Sequence, residues 1–192
     1  MTNKTQNDIE IRDAEGIDVS DDVNKSMKIE GVAVRFDTPS CIFTDSDGTQ
    51  YFETVAAGAF DGVDFTNTIL RYNHDDSVPV LASCKNGTMS IAVDDDKLSL
   101  TATLADTTSA RDIYQLVKSG TVGGLSIAFR TAENGDEYTG NTRIIKKIAE
   151  LIEISIVDHP AYQNTSVAVR SIERARKQRE DKRKKLICRT YF

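Results

Sequence analysis

One stretch of this chain, Thr107 to Ser119, carries apolar residues at helical spacing, whereas nearly every other apolar segment is a short run at strand spacing closed by turn residues. That imbalance restricts the fold more than any other feature. Ala110, Ile113, Leu116 and Val117 mark the helical face, Thr107 or Thr108 can cap its start, and Gly120 its end. Around it the chain reads as strands: Lys28 to Phe36, Gln50 to Val55, Thr68 to Tyr72, Val78 to Ser83, Met89 to Val93, Lys97 to Leu104, Leu125 to Phe129 and the longer region Thr142 to Val157. Asp37-Thr38-Pro39-Ser40, Lys85-Asn86-Gly87 and Asp94-Asp95-Asp96 separate them as turns. Ala56 to Asp61 reads as a small helical turn and Val167 to Val169 as a last short strand. Strands in series with one strong helix predict a closed or partly closed antiparallel-mixed β-barrel surrounded by a few helices.

Charge divides the chain. Residues 1–27 are polar and Asp/Asn-rich, with only Ile9-Glu10-Ile11 alternating, so they read as a flexible segment lending at most an edge strand. From Ser171 to Phe192, nine Lys/Arg stand against three acids, leaving +6 there and −12 in the other 170 residues for the overall −6. Residues 171–192 hold good helix formers but few apolar ones, a basic tail that is helical or disordered. The body is then 28–170. Its acidity argues against nucleic acid as a partner. No apolar run nears the about 18 residues of a membrane span, and Met1-Thr2-Asn3-Lys4 lacks a signal peptide's apolar core, so a cytoplasmic protein without a membrane partner is expected. Cys41, Cys84 and Cys188 have no C-x-x-C spacing, which points to neither a disulfide framework nor a zinc cluster.

Chemistry concentrates at three places. Gly123-Gly124 leads into Leu125-Ser126-Ile127-Ala128-Phe129, where one hydroxyl stands in an apolar run. The glycines are either a plain turn or a pair of backbone N–H donors, placed to receive an oxyanion. A serine nucleophile needs a base, and the chain offers two histidines, His74 and His159, each beside acids where a strand ends. Glu153 lies within the apolar run Leu151 to Val157; strict alternation places it on one face with Leu151, Ser155 and Val157. Burying a lone carboxylate costs several kcal/mol, so that face is wet or Glu153 has a partner.

Six segments then occur in a familiar order: Ile29 to Ser40, Phe52-Glu53-Thr54-Val55-Ala56-Ala57-Gly58-Ala59-Phe60, Tyr72-Asn73-His74-Asp75, Asn86-Gly87-Thr88-Met89, Gly124 to Phe129, and Leu151 to Tyr162. In these the chain resembles the tailed-phage prohead (capsid maturation) proteases of the HK97 type, over roughly residues 28–170. The resemblance implies a serine endopeptidase with a herpesvirus-assembly-protease-like barrel, acting in the host cytoplasm inside the immature procapsid. It would cut scaffold protein or the scaffold-like arm of the major capsid protein, and in some cases itself. It implies Ser126 as nucleophile, His74 as base and Glu153 as third member, with His159 in reserve because the herpesvirus enzymes use a second histidine. Gly123 and Gly124 remain oxyanion-hole candidates. No cofactor or metal is implied, and self-association is left open. Where the family commonly shows Leu-Gly-Arg before Asn-Gly-Thr, this chain has Val80-Leu81-Ala82-Ser83-Cys84-Lys85.

The main alternative is a non-enzymatic scaffold or assembly protein using the same barrel for protein contacts. A metalloenzyme built on His74, Asp75, Asp76 and His159 is a third reading, without H-E-x-x-H or similar ligand spacing.

Overall fold

The computed structural model describes residues 10–14, 17–21 and 26–158. In chain order these form β1 (Glu10–Ala14), β2 (Ile17–Asp21), β3 (Met27–Arg35), β4 (Ser40–Thr44), β5 (Gln50–Val55), β6 (Ile69–Tyr72), β7 (Ala82–Ser83), β8 (Met89–Val93), β9 (Lys97–Thr103), α1 (Thr108–Lys118), β10 (Gly124–Thr131), β11 (Asp136–Thr139), β12 (Thr142–Ile145) and β13 (Ile148–Val157). β1 and β2 come from the polar stretch set apart before residue 28. Val167 to Val169, His159 and the basic tail lie outside the described residues.

The strands assemble into three sheets with orders β1-β10-β13-β6-β7, β11-β12-β5-β4 and β2-β3-β9-β8. None closes on itself, so the expected barrel is not what the described residues form. The first and third sheets touch at both sides, β1 against β3 and β7 against β8 and β9. At β7 no ladder among the described residues joins the two sheets; just outside the strands, Ala105 N–H donates to the Leu81 carbonyl at 2.9 Å. A short β7 explains this. Val78 to Ser83 alternates like a strand, but Pro79 has no N–H to give, and only Ala82 and Ser83 pair with β6. Of the helices expected around the sheets, α1 is the one present among the described residues.

Sheet interiors supply the core. Ile29, Leu70, Leu98, Leu125, Ile127, Phe129, Ile145, Ile154 and Ile156 have no exposed surface. α1 closes one side with Ala110, Ile113, Tyr114 and Val117, the i, i+3, i+4, i+7 stripe of a helix. Leu116 falls off that stripe and is exposed, while Tyr114 takes its place. Thr107 caps the helix by accepting the Ala110 N–H at 3.2 Å, and Gly120, at φ +72°, ends it.

A buried polar cluster links two of these sheets. Arg143 on β12 is 2% exposed; it donates to Glu53 Oε2 on β5 at 3.0 Å, to Asp136 Oδ2 on β11 at 2.8 Å and to Thr131 Oγ1 at the end of β10 at 3.1 Å. The guanidinium therefore joins three strands of the second sheet to the first. Five donors in a rigid fork suit that task, because one group can donate to several acceptors at once.

Candidate active site

Strand pairing brings the polar residues of β10, β13 and β6 to one face. Ser126 sits opposite Ser155 and Ala128 opposite Glu153, while in the parallel β13–β6 pair Ile69 matches Glu153 and Arg71 matches Ser155. The other face carries Leu125, Ile127, Ile154, Ile156 and Leu70, all core residues. A register shift between Ala128 and Phe129 modifies the alternation: Phe129 pairs with Leu151, which joins the core instead of sharing Glu153's face. β13 is a central strand, not an edge, and Glu153 is 9% exposed.

His74 reaches this face from the turn that follows β6. Asn73 and His74 have φ of +50° and +55°, and Asp75 N–H closes the turn on the Tyr72 carbonyl at 3.0 Å, the pattern of a type I′ turn. Asn tolerates this region and His less so, at a cost of order 1–3 kcal/mol for such backbone. Neighbouring bonds hold it. Asn73 N–H donates to the Ile156 carbonyl at 2.9 Å, Asp158 N–H to Asn73 Oδ1 at 3.2 Å, and His74 N–H to Ser155 Oγ at 3.2 Å.

The result is a continuous chain of contacts. His74 Nδ1 lies 2.5 Å from Glu153 Oε1, and Nε2 lies 2.8 Å from Ser126 Oγ. Ser155 Oγ also donates to Glu153 Oε1 at 3.3 Å, and Arg71 Nε stands 3.0 Å from Oε2. Burial pushes the Glu153 carboxyl upward, but the hydrogen bond and charge of His74, the charge of Arg71 and the Ser155 hydroxyl together outweigh it and hold it below the usual carboxylate range. An ionised Glu153 accepts only, so Nδ1 of His74 carries a proton, and with no second proton on the ring Nε2 accepts the Ser126 O–H. That is the protonation pattern in which a hydroxyl can be deprotonated as it attacks.

The depressed carboxyl has a sign for stability. A group whose folded value is lowered stabilises the fold above its unfolded value and loses that contribution as pH falls through the folded one. Glu153→Gln should therefore cost about 1.5–3 kcal/mol near neutrality and progressively less in acid. Urea midpoints of the two proteins, compared from neutral pH downward, should converge; a constant gap would contradict the ionised pairing.

Of the residues singled out from the sequence, Ser126, His74 and Glu153 come together and Gly123 and Gly124 precede Ser126 on the same strand approach. Neither glycine has positive φ, Gly124 pairs with Val157, and space beside Gly123 is open. His159 lies outside the described residues. Asp75 Oδ1 accepts the Ser77 N–H at 2.8 Å and Asp76 pairs with Arg71 at 3.0 Å, and no group of three or more His, Cys, Asp or Glu that could hold a metal ion occurs among the described residues. Arg71 was not singled out, although a charged residue inside Ile-Leu-Arg-Tyr, three before His74, was the available signal. Ser126 and Ser155 are fully buried.

The family model described as Caudovirus prohead serine protease matches residues 13–179. No curated protein and no solved structure matches the chain.

Proposed function

This chain belongs to the caudovirus prohead serine protease family, and on that footing we propose that it is a capsid-maturation endopeptidase with Ser126 as nucleophile, His74 as general base and Glu153 as the carboxylate that orients it. The observation that carries the assignment is the unbroken run from Glu153 Oε1 through His74 Nδ1 and Nε2 to Ser126 Oγ, 2.5 and 2.8 Å. Ser126 Oγ attacks the scissile carbonyl carbon as its proton passes to Nε2, and Glu153 stabilises the imidazolium that forms. Collapse of the tetrahedral species breaks the C–N bond, and the Nε2 proton leaves with the amine. Water then repeats the sequence on the acyl ester and frees the acid. Backbone N–H groups at Gly123 and Gly124 are the candidate donors to the oxyanion, since the open space beside Gly123 leaves room for a substrate backbone.

The family implies capsid proteins as substrates and the procapsid as the place of action. Within that, the scaffold protein or the scaffold-like arm of the major capsid protein, and the enzyme's own termini, are the proposed cleavage targets. A fluorophosphonate probe tests the site directly. Mass spectrometry should find the adduct on Ser126 of the folded wild type, at a rate lowered at least 100-fold by His74→Ala, in keeping with the share of general-base catalysis. Labelling confined to other serines would remove the proposal.

A further inference from the structure

Arg71 is the charged group in the site that the proposed chemistry leaves without a task. It lies on β6, beside Ser155 in the sheet, and its side chain is 17% exposed. Each nitrogen of its guanidinium faces a different partner. Nε is 3.0 Å from Glu153 Oε2, Nη2 is 3.0 Å from Asp76 Oδ1, and Nη1 donates to the Asp75 carbonyl at 3.4 Å. The Nε–H is buried without a hydrogen bond of good direction, so its contact with Glu153 is one of charge. Asp75 and Asp76 are the residues that directly follow His74 in its left-handed turn.

We infer that Arg71 is a positioning residue of this site: its guanidinium ties the Glu153 carboxylate to the turn that carries His74, and so sets how the imidazole meets Ser126. The inference rests on the triad reading given above and adds to it. Glu153 uses Oε1 for His74 and Ser155, and Oε2 would be free to rotate the carboxylate off Nδ1 if nothing held it. Arg71 holds it. The same group grips the far side of the turn, where His74 has adopted a backbone conformation it would not choose alone. Among the described residues, the charged and titratable groups in contact with Glu153 are His74 and Arg71, with Asp75 and Asp76 behind Arg71. A lysine would keep the charge but cannot face three partners in one plane.

Arg71→Lys and Arg71→Met, with Ser126→Ala as control, test this on a peptide copied from a mapped processing site. A misplacement of about 1 Å costs on the order of 100-fold, so kcat should fall about 10- to 100-fold in both variants with KM within about twofold. The Nδ1 proton of His74, one of two histidines in the chain, should give a far-downfield proton resonance in the wild type that moves upfield or broadens away in both variants. Wild-type kcat in either folded variant, a change in KM alone, or a fall in kcat with the resonance unmoved would each overturn the assignment. So would failure of both variants to fold, which would make Arg71 a support of the sheet. If Ser126→Ala still cleaves, the triad reading falls and Arg71 with it. If that control is inert while the Arg71 variants keep full kcat, Arg71 alone is wrongly assigned.

Discussion

Ser126→Ala is expected to lower kcat for peptide hydrolysis by about 10⁴- to 10⁶-fold, the loss seen when the nucleophile of a serine protease is removed from an intact triad. The fold should survive. Ser126 has no exposed surface and its hydroxyl has His74 Nε2 as partner, so the substitution removes one oxygen and one hydrogen bond, worth about 0.5–1.5 kcal/mol. Its neighbours on β10 keep their ladders to β1 and β13. The measurement is cleavage of the capsid precursor when both proteins are made together, scored by intact mass, with urea unfolding of the purified variant as the control for folding. A folded Ser126→Ala protein that still processes the precursor at the wild-type rate would leave the non-enzymatic assembly role as the better account.

The second large effect concerns stability rather than chemistry. Arg143→Met should lower stability by about 3–5 kcal/mol, the range for stripping one partner from a buried ion pair. Domains are stable by only about 5–15 kcal/mol, so the variant should be close to unfolding at ambient temperature. Glu53 is 3% exposed and would be left charged in the sheet interior with its Arg143 partner gone, while Thr131 would lose a donor. With a urea slope of about 2 kcal/mol per molar, the midpoint should drop by about 2 M. The double variant Arg143→Met with Glu53→Leu should recover part of the loss, because the buried Glu53 charge is removed together with Arg143. An unchanged midpoint for Arg143→Met would show that the cluster is solvated in a way its burial denies.

The strands that sequence located best are those in which alternation and turn residues agree. β5, β8 and β9 run Gln50–Val55, Met89–Val93 and Lys97–Thr103, with turns where Asp or Gly had marked them. Where lateral pairing overrides local pattern, the reading failed. Pro79 cuts a six-residue run down to β7, and Lys146-Lys147 splits Thr142 to Val157 into two strands that join different sheets. Between the strand segments Leu125 to Phe129 and Thr142 to Val157, the polar residues Ala132 to Asn141 hold β11, paired with β12 around Gly140, at φ +60°, and Asn141. Leu151 changes face because of a bulge that no alternation rule contains. The site follows the same division. Ser126, His74 and Glu153 stand out along the chain because each is polar at the end or middle of an apolar run. Arg71 gains its meaning only from lying beside β13, and the use of Ser155 as acceptor for the His74 N–H appears only once the turn is in place.

The sheet that bears Ser126 has chemistry on one side and oil on the other, with neighbouring residues assigned to opposite sides. Losing or gaining a single residue between Gly124 and Ala128 would exchange the two, sending the hydroxyl inward and Ile127 outward. Such a protein cannot be lengthened or shortened by gradual steps along β10 or between Glu153 and Ile156. Among the described residues, length can vary at exposed bends such as Ser46 to Gly48, so those bends are where insertions should accumulate among its kin.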